Sequence, residues 1–198
     1  MLREEVAVKK MYKKLVQKLV LCYYYIIDGL THHEFKERRL KPMAGNDMLG
    51  KVDSVDFAVY LNKKAKEQGK NVNVTKIQKW LYICYGLYLA VRDEQLLDER
   101  PQAWKYGPFF PQVHDAQKSN GDSLDNLLGG IDEAKFAEYD GVINATLKNF
   151  GDWSASQLVN WTHQKDSAWY IKKESGEMFK SMDNHDIRRD FKRLFTNG

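Results

Sequence analysis

Residues 75–93 read TKIQKWLYICYGLYLAVRD, and on a 3.6-residue repeat their apolar side chains cover most of a helix's circumference. Ile77, Trp80, Leu81, Ile83, Cys84, Tyr85, Leu87, Tyr88 and Val91 leave no broad polar face. Such a helix is stable in water only when other elements pack on it from several sides, so the chain is expected to build its fold around this segment. Thr75 is the expected N-cap. Gly86 in mid-helix costs about 1 kcal/mol against alanine, which predicts the close approach of another element. Cys84 has no neighbouring base and reads as a packed thiol rather than a nucleophile.

The flanking sequence supplies the packing partners. Ser54 is expected to cap a helix stopped by Gly69. Leu96-Leu97 and Ala103-Trp104 read as two short strands of a hairpin turning through Asp98–Pro101. Gly107-Pro108 and Pro111 then read as a rigid turn before a helix from Gln112 to Lys118. Asp132 is expected to cap a helix carrying Phe136, Tyr139, Ile143, Leu147 and Phe150, ended at Gly151. Ser154 and Ser167 open two short helices, and the last helix starts at Asp183 with Ile187, Phe191 and Leu194 at helical spacing. The expected fold class is mainly α: a compact helical domain with a small β-hairpin, plus an N-terminal amphipathic helix.

Charge divides the chain. Of the formal net charge of +4, all sits in residues 1–47, which hold 10 Lys and Arg against 6 Asp and Glu; the remaining 21 of each cancel. All five tryptophans fall in the neutral part. The expected division is therefore 1–50, a basic amphipathic helix and linker, and 51–198, the folded domain. Met48 is an alternative start that would make residues 1–47 an upstream extension. Met11, Tyr12, Leu15, Val16 and Leu19 line one face of the leading helix, and Lys9, Lys10, Lys13, Lys14 and Lys18 the other. Docking on the body outweighs a membrane-surface or partner-binding role, because the apolar face lacks interfacial Trp or Phe. Leu19–Ile27, the longest apolar run, is less than half of the roughly 20 residues that span a bilayer. With no secretory signal and only Cys22 and Cys84, the expected location is cytoplasmic.

Few spacings that chemistry demands occur. There is no phosphate loop, dinucleotide fingerprint, zinc helix, nucleophile elbow or C-x-x-C pair. His32 and His33 are adjacent and point apart, so no metal site is expected. His163 is the one histidine with a case for acid/base work, but a helix-end role outranks it, with an imidazolium favoured by the dipole. Arg188, Arg189, Lys192 and Arg193 form the best basic cluster; they interleave with Asp183, Asp186 and Asp190, so pairing along the helix outweighs nucleic-acid binding. No cofactor is expected.

KIQKWLYICYGLYLAV, QAWKYGPFFPQVHDAQK, SASQLVNWTHQKDSAWY and a terminal I-x-x-x-F helix, in that order, resemble the Panacea domain. This antitoxin family includes SocA-like proteolytic adaptors and phage-associated GepA-like proteins. The resemblance spans roughly residues 54–195, and Ala103–Pro108 (AWKYGP) is its most specific piece. Phe109-Phe110 replaces a more usual aliphatic pair, and Cys84-Tyr85 a small or polar one. The resemblance implies a protein without chemistry of its own that neutralises a cognate toxin, encoded beside it, by direct binding, and in one branch hands that toxin to a AAA+ protease. The alternatives are a DNA-binding autoregulator or a hydrolase using His163. Candidate partner-binding residues are Trp104, Lys105, Tyr106, Phe109, Phe110, His163 and Trp169, with Met11, Tyr12, Leu15, Val16 and Leu19 on a leading helix that would set specificity. Trp104 and Tyr106 on a short strand make either a structural plug or a binding platform, at even weight, with Lys105 facing water if they point inward.

Overall fold

The computed structural model describes residues 51–196, so the expected leading helix and its candidate residues lie outside the described part. Seven helices, two 3₁₀ segments and one hairpin follow along the described chain. Helix α1 (Ser54–Glu67) precedes α2 (Val74–Arg92), then strands β1 (Gln102–Trp104) and β2 (Gly107–Phe109), and α3 (Pro111–Ser119). Two 3₁₀ segments, Asp125–Gly130 and Glu133–Tyr139, lead into α4 (Asp140–Phe150). Helices α5 (Ala155–Thr162), α6 (Ala168–Glu174) and α7 (Asn184–Thr196) complete the fold.

As the all-round apolar pattern predicts, α2 is central. Lys76 to Leu87 is buried without a break, and α1, α3, α4, α5, α7 and β2 all pack on it. Its buried polar groups are matched to helix ends. The last carbonyls of α4 have no partner within their own helix; Trp80 Nε1 donates to Phe150 O at 3.1 Å and Lys76 Nζ to Gly151 O at 3.0 Å. The Cys84 thiol contacts Thr146 Oγ1 at 3.2 Å, and full burial pushes it up to about 12. It is a packed thiol, as expected. Gly86 lies against the Phe191 ring of α7, the predicted close approach.

Several boundaries differ from the sequence reading. Asp53, not Ser54, caps α1, accepting from the Val55 and Asp56 amides; this leaves Ser54 Oγ to donate to Glu99. Asn73, not Thr75, caps α2. Asp132 caps a 3₁₀ turn, and the α-helix begins only at Asp140. The three-residue repeat of that turn places Phe136 and Tyr139 on one side, where Phe136 stacks on Tyr60 and Tyr139 meets Phe57 edge-on. Ser154, with a complete capping box, and Ser167 cap α5 and α6 as expected.

The hairpin is also displaced from its expected position. Gln102 pairs with Phe109, Ala103 with Pro108 and Trp104 with Gly107, so the chain reverses at Lys105-Tyr106 and Gly107-Pro108 is a strand. Leu97 instead forms a parallel bridge with Val52, and both Leu96 and Leu97 are buried. Gly107 makes the reversal possible with a φ of +100°, which a side chain would resist.

Candidate functional site

The three motif segments converge on the hairpin. Ala103 and Pro108 face each other as a pair whose main-chain polar groups point outward, away from one another. On one side Ala103 N–H donates to Lys180 O at 3.0 Å and Ala103 O accepts from Phe179 N–H at 2.8 Å. On the other, Pro108 has no N–H to satisfy and its carbonyl accepts from Lys79 Nζ at 2.8 Å. Two residues on, Gln78 grips Phe110 with both ends of its amide, Nε2 donating to Phe110 O at 3.2 Å and Oε1 accepting from Phe110 N–H at 2.7 Å. Both flanks of the hairpin are thus occupied, one by residues 179–182 and the other by side chains of α2.

Lys79 is 2% exposed, and burial pulls its amine down to about 7. It lies against Gly107: a Cβ there would sit 3.0 Å from Lys79 Nζ and 2.6 Å from Thr162 Oγ1. His163, the C-cap residue of α5, stacks on Trp169 with ring centroids 3.6 Å apart and planes 6° from parallel. Trp169 Nε1 in turn donates to Trp104 O at 2.7 Å, tying α6 to β1. Burial first, and then the Lys79 and Lys173 charges, pull His163 down to about 4. The expected helix-end imidazolium is therefore a neutral ring at physiological pH, because two amines and a desolvated setting outweigh the helix dipole.

The candidate residues divide by depth. Phe110 is fully buried against Tyr85, and Trp169 is buried beneath His163. Trp104 and Phe109 are half-buried and stacked on each other at 4.2 Å. Lys105 and Tyr106 are exposed at the reversal, Tyr106 by 65%, with Lys105 Nζ 5.3 Å from its ring. Trp104 and Tyr106 do not share an inward strand face, since Tyr106 belongs to the turn.

The sequence reading passed over Gln78, Lys79 and Phe179. Two polar residues inside a run that is otherwise apolar all round were a usable signal for the first two. Phe179 carried none, as its segment has no period. In the basic cluster, Arg189 pairs with Asp186 at 2.7 Å and Asp190 at 3.6 Å along α7, and Arg188 reaches across to Asp93.

The family model described as the antitoxin SocA-like Panacea domain matches residues 77–170, from the first turn of α2 to the first turn of α6. Residues 77–170 resemble the SocA-like Panacea domain. Antitoxin SocA of Caulobacter vibrioides is 28% identical over 131 residues, which take in 61% of this chain and 70% of the relative. No solved structure matches. The matched span contains the Gln78 and Lys79 clamp, the hairpin they hold, and the Thr162, His163 and Trp169 cluster beneath it. Among the described residues no helix is long and apolar enough to cross a membrane.

Proposed function

We propose that this protein is the antitoxin of a toxin–antitoxin pair and neutralises a protein toxin, encoded beside it, by binding it through the hairpin reversal. The observation that carries this reading is the contrast at the reversal. Lys105 and Tyr106 are held out in solvent by a hairpin whose every outward main-chain group at Ala103, Pro108 and Phe110 is already bonded. A partner cannot add a strand to such a hairpin; it must meet the tip and the aromatic face. The strands that carry the tip are pinned on both flanks, so their backbone has little entropy left to lose when the tip is covered.

The match to the antitoxin SocA-like Panacea domain and the likeness to antitoxin SocA support the antitoxin role. Delivery of the bound toxin to a AAA+ protease belongs to the same reading, with the surface away from the hairpin left for the protease. Residues 1–47, with Met11, Tyr12, Leu15, Val16 and Leu19 on one face, would supply toxin specificity. In a co-expression growth assay with the neighbouring gene product, Lys105→Glu should weaken rescue while circular dichroism stays that of the wild type, and deletion of residues 1–47 should weaken it too. Full rescue by both variants would show that the toxin docks elsewhere.

A further inference from the structure

Phe179 occupies a conformation that bulky residues seldom adopt. Its φ is +64°, in the left-handed region where Cβ crowds the backbone, whereas the other positive-φ positions of the described chain are glycines and aspartates. The strain does not serve the core, because the ring is 61% exposed. Main-chain bonds enforce it: Phe179 N–H to Ala103 O at 2.8 Å, Ala103 N–H to Lys180 O at 3.0 Å and Met182 N–H to Pro101 O at 2.8 Å. A solvent-facing aromatic over-determined in this way marks a place where function has outweighed local stability.

Its neighbours make a continuous aromatic surface. The Phe179 ring meets Trp104 edge-on at 5.4 Å, Trp104 stacks on Phe109, and Phe109 tilts against His114 at 4.9 Å. Phe179 and Tyr106 are the two large hydrophobic residues exposed among the described residues; Phe179 meets Trp104, and Tyr106 follows Trp104 by two residues at the hairpin reversal. Two exposed lysines lie over rings of the hairpin reversal and of α6, the helix that Trp169 ties to β1. Lys105 lies over Tyr106, and Lys173 Nζ is 5.7 Å from the Trp169 ring and 5.8 Å from that of Tyr170. Among the described residues neither amine has a carboxylate partner, whereas Lys172 and Lys180 share Glu177.

Building on the reading that the hairpin binds a toxin, we propose that Phe179 is the anchor of that interface and that the toxin meets it with an apolar recess rimmed by carboxylates. The recess covers Phe179 and Tyr106, and its acids pair with Lys105 and Lys173. A pre-positioned aromatic has little side-chain freedom left to lose on binding, which is the property of an interface hot spot. Amines held over rings, without acids of their own, supply the complementary charge. Aromatic and lysine side chains together also suit a single-stranded nucleic acid. The balanced charge of residues 48–198 favours the acidic protein, since a phosphate backbone needs a basic track.

The test uses the full chain and the small protein encoded beside it, with affinity measured by calorimetry at low and high salt and Tm measured in parallel. Phe179→Gly relieves the left-handed φ and keeps the main-chain bonds, so Tm should hold or rise while toxin affinity falls at least tenfold. Phe179→Asn, also tolerated at this φ, should behave alike, and Lys105→Glu with Lys173→Glu should weaken binding and flatten its salt dependence. Wild-type affinity in both Phe179 variants overturns the anchor while leaving toxin binding standing. A fall in Tm that parallels the loss of binding assigns Phe179 a structural role and also overturns it. A wild-type chain that binds no toxin overturns the anchor together with the reading beneath it. Tight binding of a labelled single-stranded DNA, lost in Phe179→Gly, replaces the acidic protein with nucleic acid.

Discussion

At Gly86 a missing side chain is a packing requirement. A Cβ built there would lie 2.1 Å from Cε2 of the Phe191 ring, which is itself 2% exposed and locked between Tyr82 and Trp161. Gly86→Ala gains up to about 1 kcal/mol of helix propensity but must push a buried ring aside, at a cost of about 1–3 kcal/mol. The expected net effect is destabilisation of roughly 1–2 kcal/mol, seen as a fall of several degrees in Tm. Adding Phe191→Leu should recover part of that loss; strictly additive losses in the double variant would mean that the two sites do not press on each other. The anomaly was readable in the sequence because a glycine inside an apolar helical run lacks a local reason. Phe179 was not readable: its conformation is imposed by Pro101 and Ala103, far away along the chain, and no local pattern encodes that.

At the scale of the element, the hairpin shows why a correct element type came with wrong strands. Apolar pairs and prolines suggested Leu96-Leu97 and a turn at Asp98–Pro101, yet short strands this weakly patterned are decided by who satisfies their outward polar groups. Gln78, Lys79 and the 179–182 segment do so for Ala103, Pro108 and Phe110, and nothing local to residues 96–110 reveals it. The same dependence gives a prediction. Gln78→Leu strips the partner from the buried Phe110 N–H, worth about 1–3 kcal/mol, while Phe110 O loses the Gln78 amide but keeps the His114 N–H. Urea unfolding should show a loss of about 1–3 kcal/mol, and toxin rescue should fall with it. Gln78→Glu keeps the acceptor for Phe110 N–H but sets a buried carboxylate oxygen against Phe110 O, so it should destabilise at neutral pH and recover part of the loss in acid, where the protonated carboxyl can donate. Unchanged stability in Gln78→Leu would mean that the hairpin holds itself. Helix caps were legible where the local signal was complete: Ser154, with Gln157 at the third helical position, closes both hydrogen bonds of its box, whereas at α1 and α2 an acceptor one or two residues earlier, Asp53 or Asn73, displaced the expected Ser54 and Thr75.

The balanced charge of the body was visible in composition, but how its stability responds to pH depends on depth, which composition does not encode. Among the described residues, His163, Asp190 and Lys79 are shifted furthest between acid and neutral pH. His163 is pulled from 6.5 to about 4, so between those values the unfolded chain binds the extra proton and stability falls as pH drops. Asp190 is pushed by burial from 3.8 to about 6, so there the folded chain holds the extra proton and stability rises as pH drops, opposing His163. At higher pH Lys79 acts first, and Cys84, raised by burial from 9.0 to about 12, opposes it from about pH 9. Burial lowers Lys79 from 10.5 to about 7, and between these values the unfolded chain binds a proton that the folded chain has released. Stability should therefore rise with pH above 7, by at most about 1.4 kcal/mol per unit. The buried tyrosines reverse the trend near pH 10: Tyr85 and Tyr139 are held above their ordinary 10, so the unfolded chain ionises first. Thermal unfolding across pH 6 to 11 should thus peak in the alkaline range, at roughly pH 9–10. In Lys79→Met the rise between pH 7 and 9 should vanish, whatever that variant's absolute stability with Pro108 O left unpaired. A wild-type curve already flat from pH 7 to 9 would show that the Lys79 amine keeps its proton, and with it a charge, beneath the hairpin.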